Sequence, residues 1–340
     1  MKKILALILF AVVSVPATSQ TSKKIDTKPK LLVGIVIDQM RMDYIYRYWD
    51  RLSEDGFKKL IDEGHLCSNA HHSQVPTYTA PGHACIFTGT TSSDHGIISN
   101  NWFDEKTGSI MYCVGDAESI GIGGIATLGN VSPKNIKTNM IADEIKLSTN
   151  FRGQCIGISL KERGAIFGAG HSGDGAYWFD NRTGNFMTSS YYKRLLPDWV
   201  REYNDLKNAD RYKREKWNTL YDISSYTQST IDDNSYEGIV SIETKPVFPH
   251  VLDNGKNYDL LKYSPFGNTM VLDISLKALK DLKLGMDDDL DLLAISFSAS
   301  DYIGHRYGTN AIETEDVYLR LDKDIAKLLS VLEQTVGKDN

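Results

Sequence analysis

Two kinds of side chain in this sequence could act on a charged substrate. Asp38 directly follows the apolar run LLVGIVI, and Asp301 and His305 follow the run LDLLAISF. A carboxylate, or a carboxylate and an imidazole four residues apart on a helical turn, can bind a metal cation. Thr79 precedes Pro81 and an apolar stretch, as a residue at a helix N-terminus does. Free N–H groups there favour an anion, so a phosphoryl group would be stabilised beside the hydroxyl.

Each of these residues also has a simpler structural role. Asp38 can cap the next helix, and Thr79 can be an N-cap without any chemistry. Asp301 and His305 can form an ordinary surface hydrogen bond. Taken one at a time, the segments leave both interpretations open.

The elements that would position these side chains alternate between strands and helices. The stretches 31–37, 154–160 and 290–297 are short and apolar, and each is followed by polar residues, as buried parallel strands are. A helical pattern at 57–63 ends at a glycine. The alternation predicts an α/β fold with a mainly parallel central sheet flanked by helices. Ligands of such sheets bind at the carboxyl ends of the strands, where the candidate carboxylates lie.

The stretch from about 176 to 265 breaks this alternation. It is rich in Tyr, Trp, Asn, Asp and Lys, and it lacks strong apolar runs. We interpret it as an insertion that caps the carboxyl edge of the sheet.

Composition and charge narrow the class of substrate. The 340 residues are 41% hydrophobic and 24% charged, which is an ordinary globular composition. A formal net charge of -6 provides no broad basic surface for nucleic acid. The four cysteines form no C-x-x-C pair, which argues against a structural zinc site of the ribbon or finger type. A small-molecule substrate is therefore predicted.

The first residues have the pattern of an export signal. Lys2 and Lys3 precede an apolar run at 4–15, and Ala17 and Ser19 have the spacing that signal peptidases prefer. This run is shorter than the roughly 20 residues that span a bilayer. We therefore expect residues 1–19 to be a cleaved signal peptide, no membrane span after its removal, and a periplasmic or secreted protein. One or two disulfides can form in such a compartment, but the sequence does not pair the cysteines.

Five motifs in order carry a family resemblance. They are Asp38, the T-A-P-G-H segment that begins at Thr79, HGIISNNWFD at 95–104, SLKERGAI at 159–166, and the pair of Asp301 and His305. From about residue 30 to 340 the chain resembles the type I phosphodiesterase/nucleotide pyrophosphatase branch of the alkaline phosphatase superfamily. Within that branch it resembles most the bacterial phosphate-irrepressible alkaline phosphatases.

The resemblance implies two zinc ions and a threonine nucleophile. Asp38 and Thr79 would serve the first zinc, and Asp301 and His305 the second. Zinc coordination lowers the pKa of a hydroxyl, so that the Thr79 alkoxide can attack phosphorus. The second zinc would stabilise the leaving oxygen, and a water there would hydrolyse the phospho-threonine. The expected substrates are small phosphate esters.

The resemblance also assigns residues to the phosphate oxygens. Asn100 matches the family's hydrogen-bond donor to a phosphoryl oxygen, with Asn101 as the alternative. Lys161 and Arg163 are two residues apart after a predicted strand, so in extended backbone both would leave on one face and Glu162 on the other. Such a pair of cations favours a phosphate monoester over the alternative, a phosphodiesterase or nucleotide pyrophosphatase.

The set of zinc ligands is not complete in this sequence. The family uses a further Asp-His pair and a last histidine, and no D-H dipeptide follows His305. Each zinc would keep two protein ligands, whereas a catalytic zinc usually has about three. We therefore expect 20–340 to be an incomplete catalytic domain of a longer protein, to which the activity belongs. The alternative is a non-catalytic chain that binds metal or anions weakly.

Overall fold

The computed structural model describes residues 28–240 and 242–340, so the predicted signal peptide at 1–19 lies outside the described residues. The strands, in chain order, are β1 Leu31–Ile37, β2 Asn101–Asp104, β3 Ser109–Tyr112, β4 Gly121–Ile122, β5 Cys155–Ser159, β6 Gly175–Asp180, β7 Asn185–Ser189, β8 Lys216–Trp217, β9 His250–Val251 and β10 Asp291–Phe297.

The helices alternate with these strands through much of the chain. They are α1 Met42–Tyr48, α2 Phe57–Glu63, α3 Thr79–Thr88, α4 Ser92–His95, α5 Ile141–Ser148, α6 Glu162–Ala169, α7 Asp198–Asp205, α8 Asn208–Arg214, α9 Pro265–Asp281, α10 Ala299–Tyr307 and α11 Ile312–Thr335. The predicted helix at 57–63 is α2, and Gly64 is its C-cap.

The central sheet has six strands in the order β1-β10-β5-β6-β7-β4. The first four are parallel, and β7 and β4 continue the sheet antiparallel. This arrangement confirms the predicted α/β fold with a mainly parallel sheet. Strands β10 and β5 are buried along their whole length, whereas β1 is only partly buried because it lies at one edge of this sheet.

Helices cover both faces of the sheet. On one face Tyr177 and Phe179 of β6 join a core with residues of α9, α10 and α11. On the other face Ala176 and Trp178 of the same strand join a core with α3 and α6. The alternation of these side chains follows from the two-residue period of a strand.

The predicted insertion does not begin at 176. Strands β6 and β7 belong to the central sheet, so the first part of 176–265 is not a cap. The aromatic residues of β6 suggested an aromatic-rich insertion in the sequence, but in the structure they are buried between the two helical layers. The later part packs beside α10 and α11, where the Trp217 indole donates to Asp316 at 2.7 Å and the Gly238 N–H donates to the Arg306 carbonyl at 2.7 Å. Its role as a cap stays a prediction.

The structure also shows the state of the cysteines and the character of the helices. Cys67, Cys85, Cys113 and Cys155 all carry free thiols in this structure. Among the described residues, no helix is both long enough and apolar enough to cross a bilayer.

Candidate active site

Three charged side chains meet at the carboxyl ends of adjacent parallel strands. Asp38 follows β1, Asp301 lies in the first turn of α10 after β10, and Lys161 lies between β5 and α6. Nζ of Lys161 lies 2.5 Å from Oδ2 of Asp38 and 2.5 Å from Oδ2 of Asp301. All three residues are buried. The strand order β1-β10-β5 thus builds one cluster of two carboxylates and a cation.

Thr79 is the first residue of α3, as predicted. Its Oγ1 donates to Oδ2 of Asp38 at 3.2 Å and lies 3.4 Å from Nζ of Lys161. Thr79 is half-buried, and together with Asp38 it borders a cavity of about 280 Å³. The hydroxyl therefore lies between the buried charges and a space that a substrate can enter.

Asn100 is held beside the nucleophile candidate. Its Oδ1 accepts a hydrogen bond from the N–H of Ala80 at 2.9 Å. Ala80 is the second residue of α3, where backbone N–H groups have no partner within the helix. Asn101, the alternative to Asn100, is instead the first residue of β2 and pairs with Tyr112 of β3.

The structure contradicts the predicted backbone of SLKERGAI. Lys161 is extended, but it is the N-cap of α6, and Glu162 and Arg163 already lie in the helix. The two-residue alternation of an extended strand therefore does not apply to Lys161, Glu162 and Arg163. Nη1 of Arg163 donates to the Tyr112 hydroxyl at 3.2 Å and lies 3.6 Å from Oε1 of Glu162. Glu162 is therefore on the side of Arg163 and not opposite to it.

Two side chains contact Asp301 besides Lys161. Nε2 of His305 lies 3.2 Å from Oδ1 of Asp301, and the His305 side chain is 72% exposed. Nε2 of Gln39 donates to the same oxygen at 3.3 Å. Gln39 has a φ of 62°, which is strained for a residue other than glycine. A Cβ at Gly304 would lie 1.9 Å from Oε1 of Gln39, so this glycine leaves room for the amide.

Gln39 was not among the predicted site residues. The only available signal was its place directly after Asp38 at the end of a strand. Nothing in the sequence indicates the positive φ that turns its side chain toward Asp301, because this contact joins residues 262 positions apart.

The imidazole of His83 holds the start of α3. Its Nδ1 donates to the Thr79 carbonyl at 2.8 Å, and its Nε2 accepts from Oγ of Ser296 at 2.8 Å. Burial lowers the pKa of His83, so the neutral ring can donate at one nitrogen and accept at the other. These two contacts fix the orientation of the first turn of α3.

The charge state of Asp38 follows from its neighbours. Burial alone would raise the pKa of this carboxyl. The charge and hydrogen bond of Lys161 outweigh that effect and hold the pKa below its ordinary value. Asp38 is therefore ionised, as a ligand or partner of a cation must be.

The donors around this cluster fit zinc in chemical type. Carboxylate oxygens, a hydroxyl and an imidazole nitrogen are accepted zinc ligands, and Asp38, Thr79, Asp301 and His305 supply them. The two carboxylates already converge on one positive charge, the ammonium of Lys161. Within the described part of the chain, however, no three His, Cys, Asp or Glu side chains are grouped so that they could hold one ion.

Comparison with known proteins gives a consistent family. The model of the type I phosphodiesterase / nucleotide pyrophosphatase family matches residues 32–340. Alkaline phosphatase PhoV of Synechococcus elongatus is 44% identical over 315 residues, which cover 92% of this chain and 57% of that protein. Alkaline phosphatase PafA of Elizabethkingia meningoseptica is 42% identical over 318 residues, which cover 92% and 58%.

A third relative has a different name. A protein of Myroides odoratus named calcium-transporting ATPase is 47% identical over 326 residues, which cover 94% of this chain and 59% of that protein. The chain thus spans less than two thirds of the length of each of these three relatives.

Solved structures of PafA show the same fold. The wild-type crystal structure superimposes with a TM-score of 0.90 at 41% identity, over 92% of this chain and 61% of that chain. A PafA variant in which one threonine, one asparagine, one lysine and one arginine are replaced gives a TM-score of 0.90 at 40% identity.

Proposed function

The chain belongs to the type I phosphodiesterase/nucleotide pyrophosphatase family, and we propose that its site hydrolyses phosphate monoesters, as an alkaline phosphatase does. The observation that carries this proposal is the cluster of Asp38, Lys161 and Asp301 beside the Thr79 hydroxyl. The similarity of the chain to the alkaline phosphatases PhoV and PafA supports the same activity. Because the chain spans only part of these relatives, the proposal concerns the protein expressed from its complete coding sequence.

Thr79 would be the nucleophile. Its oxygen forms a bond to phosphorus while the bond to the ester oxygen breaks, and in net terms the hydroxyl proton ends on the departing alcohol. Water then hydrolyses the phospho-threonine, which releases inorganic phosphate and restores the hydroxyl. The N-terminus of α3 favours the anionic group at this position.

Asn100, Lys161 and Arg163 would bind the phosphate oxygens. Asn100 accepts a hydrogen bond from the N–H of Ala80, the residue after Thr79, and this contact holds it near the nucleophile. Nζ of Lys161 lies 3.4 Å from the Thr79 hydroxyl. The four residue types replaced together in the PafA variant are those of Thr79, Asn100, Lys161 and Arg163, which supports this assignment.

We assign two zinc ions to the complete site. Asp38 and Thr79 would hold one, and Asp301 and His305 the other. Bound zinc would favour the ionised hydroxyl and offset negative charge on the oxygens around phosphorus. We expect the protein to be located in the periplasm or to be secreted, because its first residues have the pattern of a signal peptide.

The family description leaves a diesterase as the second candidate. A monoester carries one more anionic oxygen than a diester, and a second cation near the first offers that oxygen a partner. Arg163, two residues after Lys161, therefore favours the monoester. The Myroides relative is named an ATPase, and ATP hydrolysis also breaks a bond between phosphorus and oxygen.

Replacement of the nucleophile tests the proposal. In the protein expressed from its complete coding sequence, Thr79→Ala should lower phosphate release from p-nitrophenyl phosphate by roughly 10,000-fold or more, because the attacking oxygen is gone. Thr79→Ser keeps a hydroxyl and should retain measurable turnover. Thr79→Ala with near-normal turnover and an unchanged unfolding temperature would exclude this role.

A further inference from the structure

Arg163 has its own set of partners, separate from those of Lys161. Nη1 of Arg163 donates to the Tyr112 hydroxyl at 3.2 Å, and that hydroxyl donates to Oε1 of Glu162. The same carboxylate oxygen lies 3.6 Å from Nη1 of Arg163. Burial, together with the charge of Glu162, raises the pKa of Tyr112, so the phenol keeps the proton it donates. The three groups hold one another in a fixed arrangement.

The guanidinium retains a donor without a protein partner. Nε of Arg163 is buried and makes no hydrogen bond within the described residues. Buried donors in folded proteins are nearly always paired, so this nitrogen lacks a hydrogen bond that a bound anion could supply. Tyr112 thus holds one nitrogen of Arg163, while Nε has no protein partner within the described residues.

The hairpin β2–β3 connects Tyr112 to Asn100. In its register Asn101 pairs with Tyr112, and the N–H of Cys113 donates to the Asn100 carbonyl at 3.0 Å. The amide of Asn135 donates to the Tyr112 carbonyl at 3.1 Å and fixes this end of the hairpin. One short hairpin therefore positions both Asn100, the proposed hydrogen-bond donor to the phosphate, and Tyr112, which holds Arg163.

We infer that Tyr112 and Glu162 are positioning residues that orient Arg163 toward a phosphate oxygen. The inference rests on the proposed function. An arginine side chain loses rotamer entropy when it is fixed. Contacts that fix it before the substrate arrives remove most of this cost from binding. The effect should be largest for a dianionic monoester, since its additional anionic oxygen needs the guanidinium.

A double-mutant cycle with Arg163 tests this role. In the protein expressed from its complete coding sequence, Tyr112→Phe should weaken binding of inorganic phosphate, measured by calorimetry, by about tenfold, the usual effect of losing a hydrogen bond to a charged group. The kcat/KM for monoesters should fall by a similar factor, with little change for diesters. In an Arg163→Ala background, Tyr112→Phe should cause no further loss.

The matched control is another tyrosine whose hydroxyl makes a hydrogen bond. The Tyr191 hydroxyl donates to the His171 carbonyl at 3.0 Å, and Tyr191→Phe should leave phosphate binding and the monoester-to-diester ratio unchanged. If Tyr112→Phe does not fold, Glu162→Gln serves in the same cycle, because it removes the charge that holds the phenol.

The outcomes separate this inference from the proposed function. Losses that add fully to those of Arg163→Ala, equal losses on monoesters and diesters, or unaltered phosphate binding would overturn the positioning role. A wild-type protein that binds phosphate but hydrolyses no monoester would contradict the proposed function, and the cycle would still be read from binding. A wild-type protein that binds no phosphate would overturn both.

Discussion

Among the described residues, two buried groups hold a cation between two carboxylates. In the candidate active site, the ammonium of Lys161 lies 2.5 Å from Asp38 and 2.5 Å from Asp301. In the second group, the imidazole of His250 has one nitrogen 3.1 Å and the other 2.9 Å from the carboxylate of a glutamate. Both groups are buried, yet only the first has the surroundings of a reaction centre.

The second group is almost completely buried. The partners of His250 are Glu243 and Glu313, and the side chains of His250 and Glu313 are 1% and 0% exposed. Because both ring nitrogens face carboxylate oxygens, both must donate, and the ring is a charged imidazolium. Trp217 and Tyr307 pack against the ring. This group joins β9 to the first turn of α11.

The difference between the two groups lies in access and in position. The first is at the carboxyl ends of three parallel strands, and Asp38 and Thr79 border a cavity of about 280 Å³. In the second, the side chains of His250 and Glu313 are fully buried. Burial of charge thus does not by itself mark a site, since a buried ion pair also serves to fix one packing arrangement at a cost in desolvation.

The largest effect that should separate the two groups is on catalysis. Replacement of Lys161 and Arg163 together by Ala should lower kcat/KM for monoesters by roughly 1,000-fold or more, because two charged donors to the phosphate are lost. Diesters should lose much less, since they present one anionic oxygen fewer. His250→Ala is the control and should leave kcat of the folded fraction within about threefold. Equal losses on both substrate classes would favour the diesterase.

A smaller effect concerns stability, where replacement of His250 should cost more than replacement of Lys161. His250→Ala leaves Glu243 and Glu313 buried without a counter-charge, which costs about 3–5 kcal/mol of unfolding free energy. Lys161→Ala should cost less, because the cavity beside Asp38 lets water reach the carboxylate that remains. Urea unfolding of the two variants measures both values. A larger loss for Lys161→Ala would show that the candidate active site is also the main structural ion group.

The sequence indicated the residues of the first group because they follow strands, but it did not predict that Lys161 lies between Asp38 and Asp301. The apolar runs before Asp38 and Asp301 are β1 and β10, and parallel strands bring their carboxyl ends together. Thr79 was recognisable because a proline and an apolar stretch follow a residue at a helix start. These signals are local, so each can be read within a few residues.

The remaining features depend on contacts between distant segments. The helix that begins at Glu162 turns Arg163 toward Tyr112, and no local pattern separates this from extended backbone at SLKERGAI. Glu313 meets His250 from 63 positions away, and neither lies in a motif. The aromatic strand β6 resembled an insertion because burial between two helical layers cannot be read from composition.

The smallest expected effect is a dependence of stability on pH that comes from the second group. Burial alone would lower the pKa of His250, but its hydrogen bonds to Glu243 and Glu313 raise it to about 9. Its value in the unfolded chain is about 6.5, so the folded state binds more protons between these two pH values. The contribution of His250 is therefore fully present below about pH 6.5 and is lost as the pH rises through about 9. Burial and the charge of Glu313 also raise the pKa of Glu237, to about 7, so that residue acts in the same direction at lower pH.

His250→Gln isolates the upper part of this window. Between about pH 7.5 and 8.5, the free energy of unfolding of the wild-type protein should fall with a slope that approaches about 1.4 kcal/mol per pH unit, the value for one proton, and the slope should decline above about pH 9. The variant should show a flatter profile over the same range, because Glu237 has already lost its proton and no imidazolium remains between the glutamates. Urea titrations at intervals of half a pH unit supply both profiles. Parallel slopes would mean that His250 is neutral in the folded protein, which would remove the second charged group from the comparison and leave Lys161 as the cation that the fold buries between carboxylates.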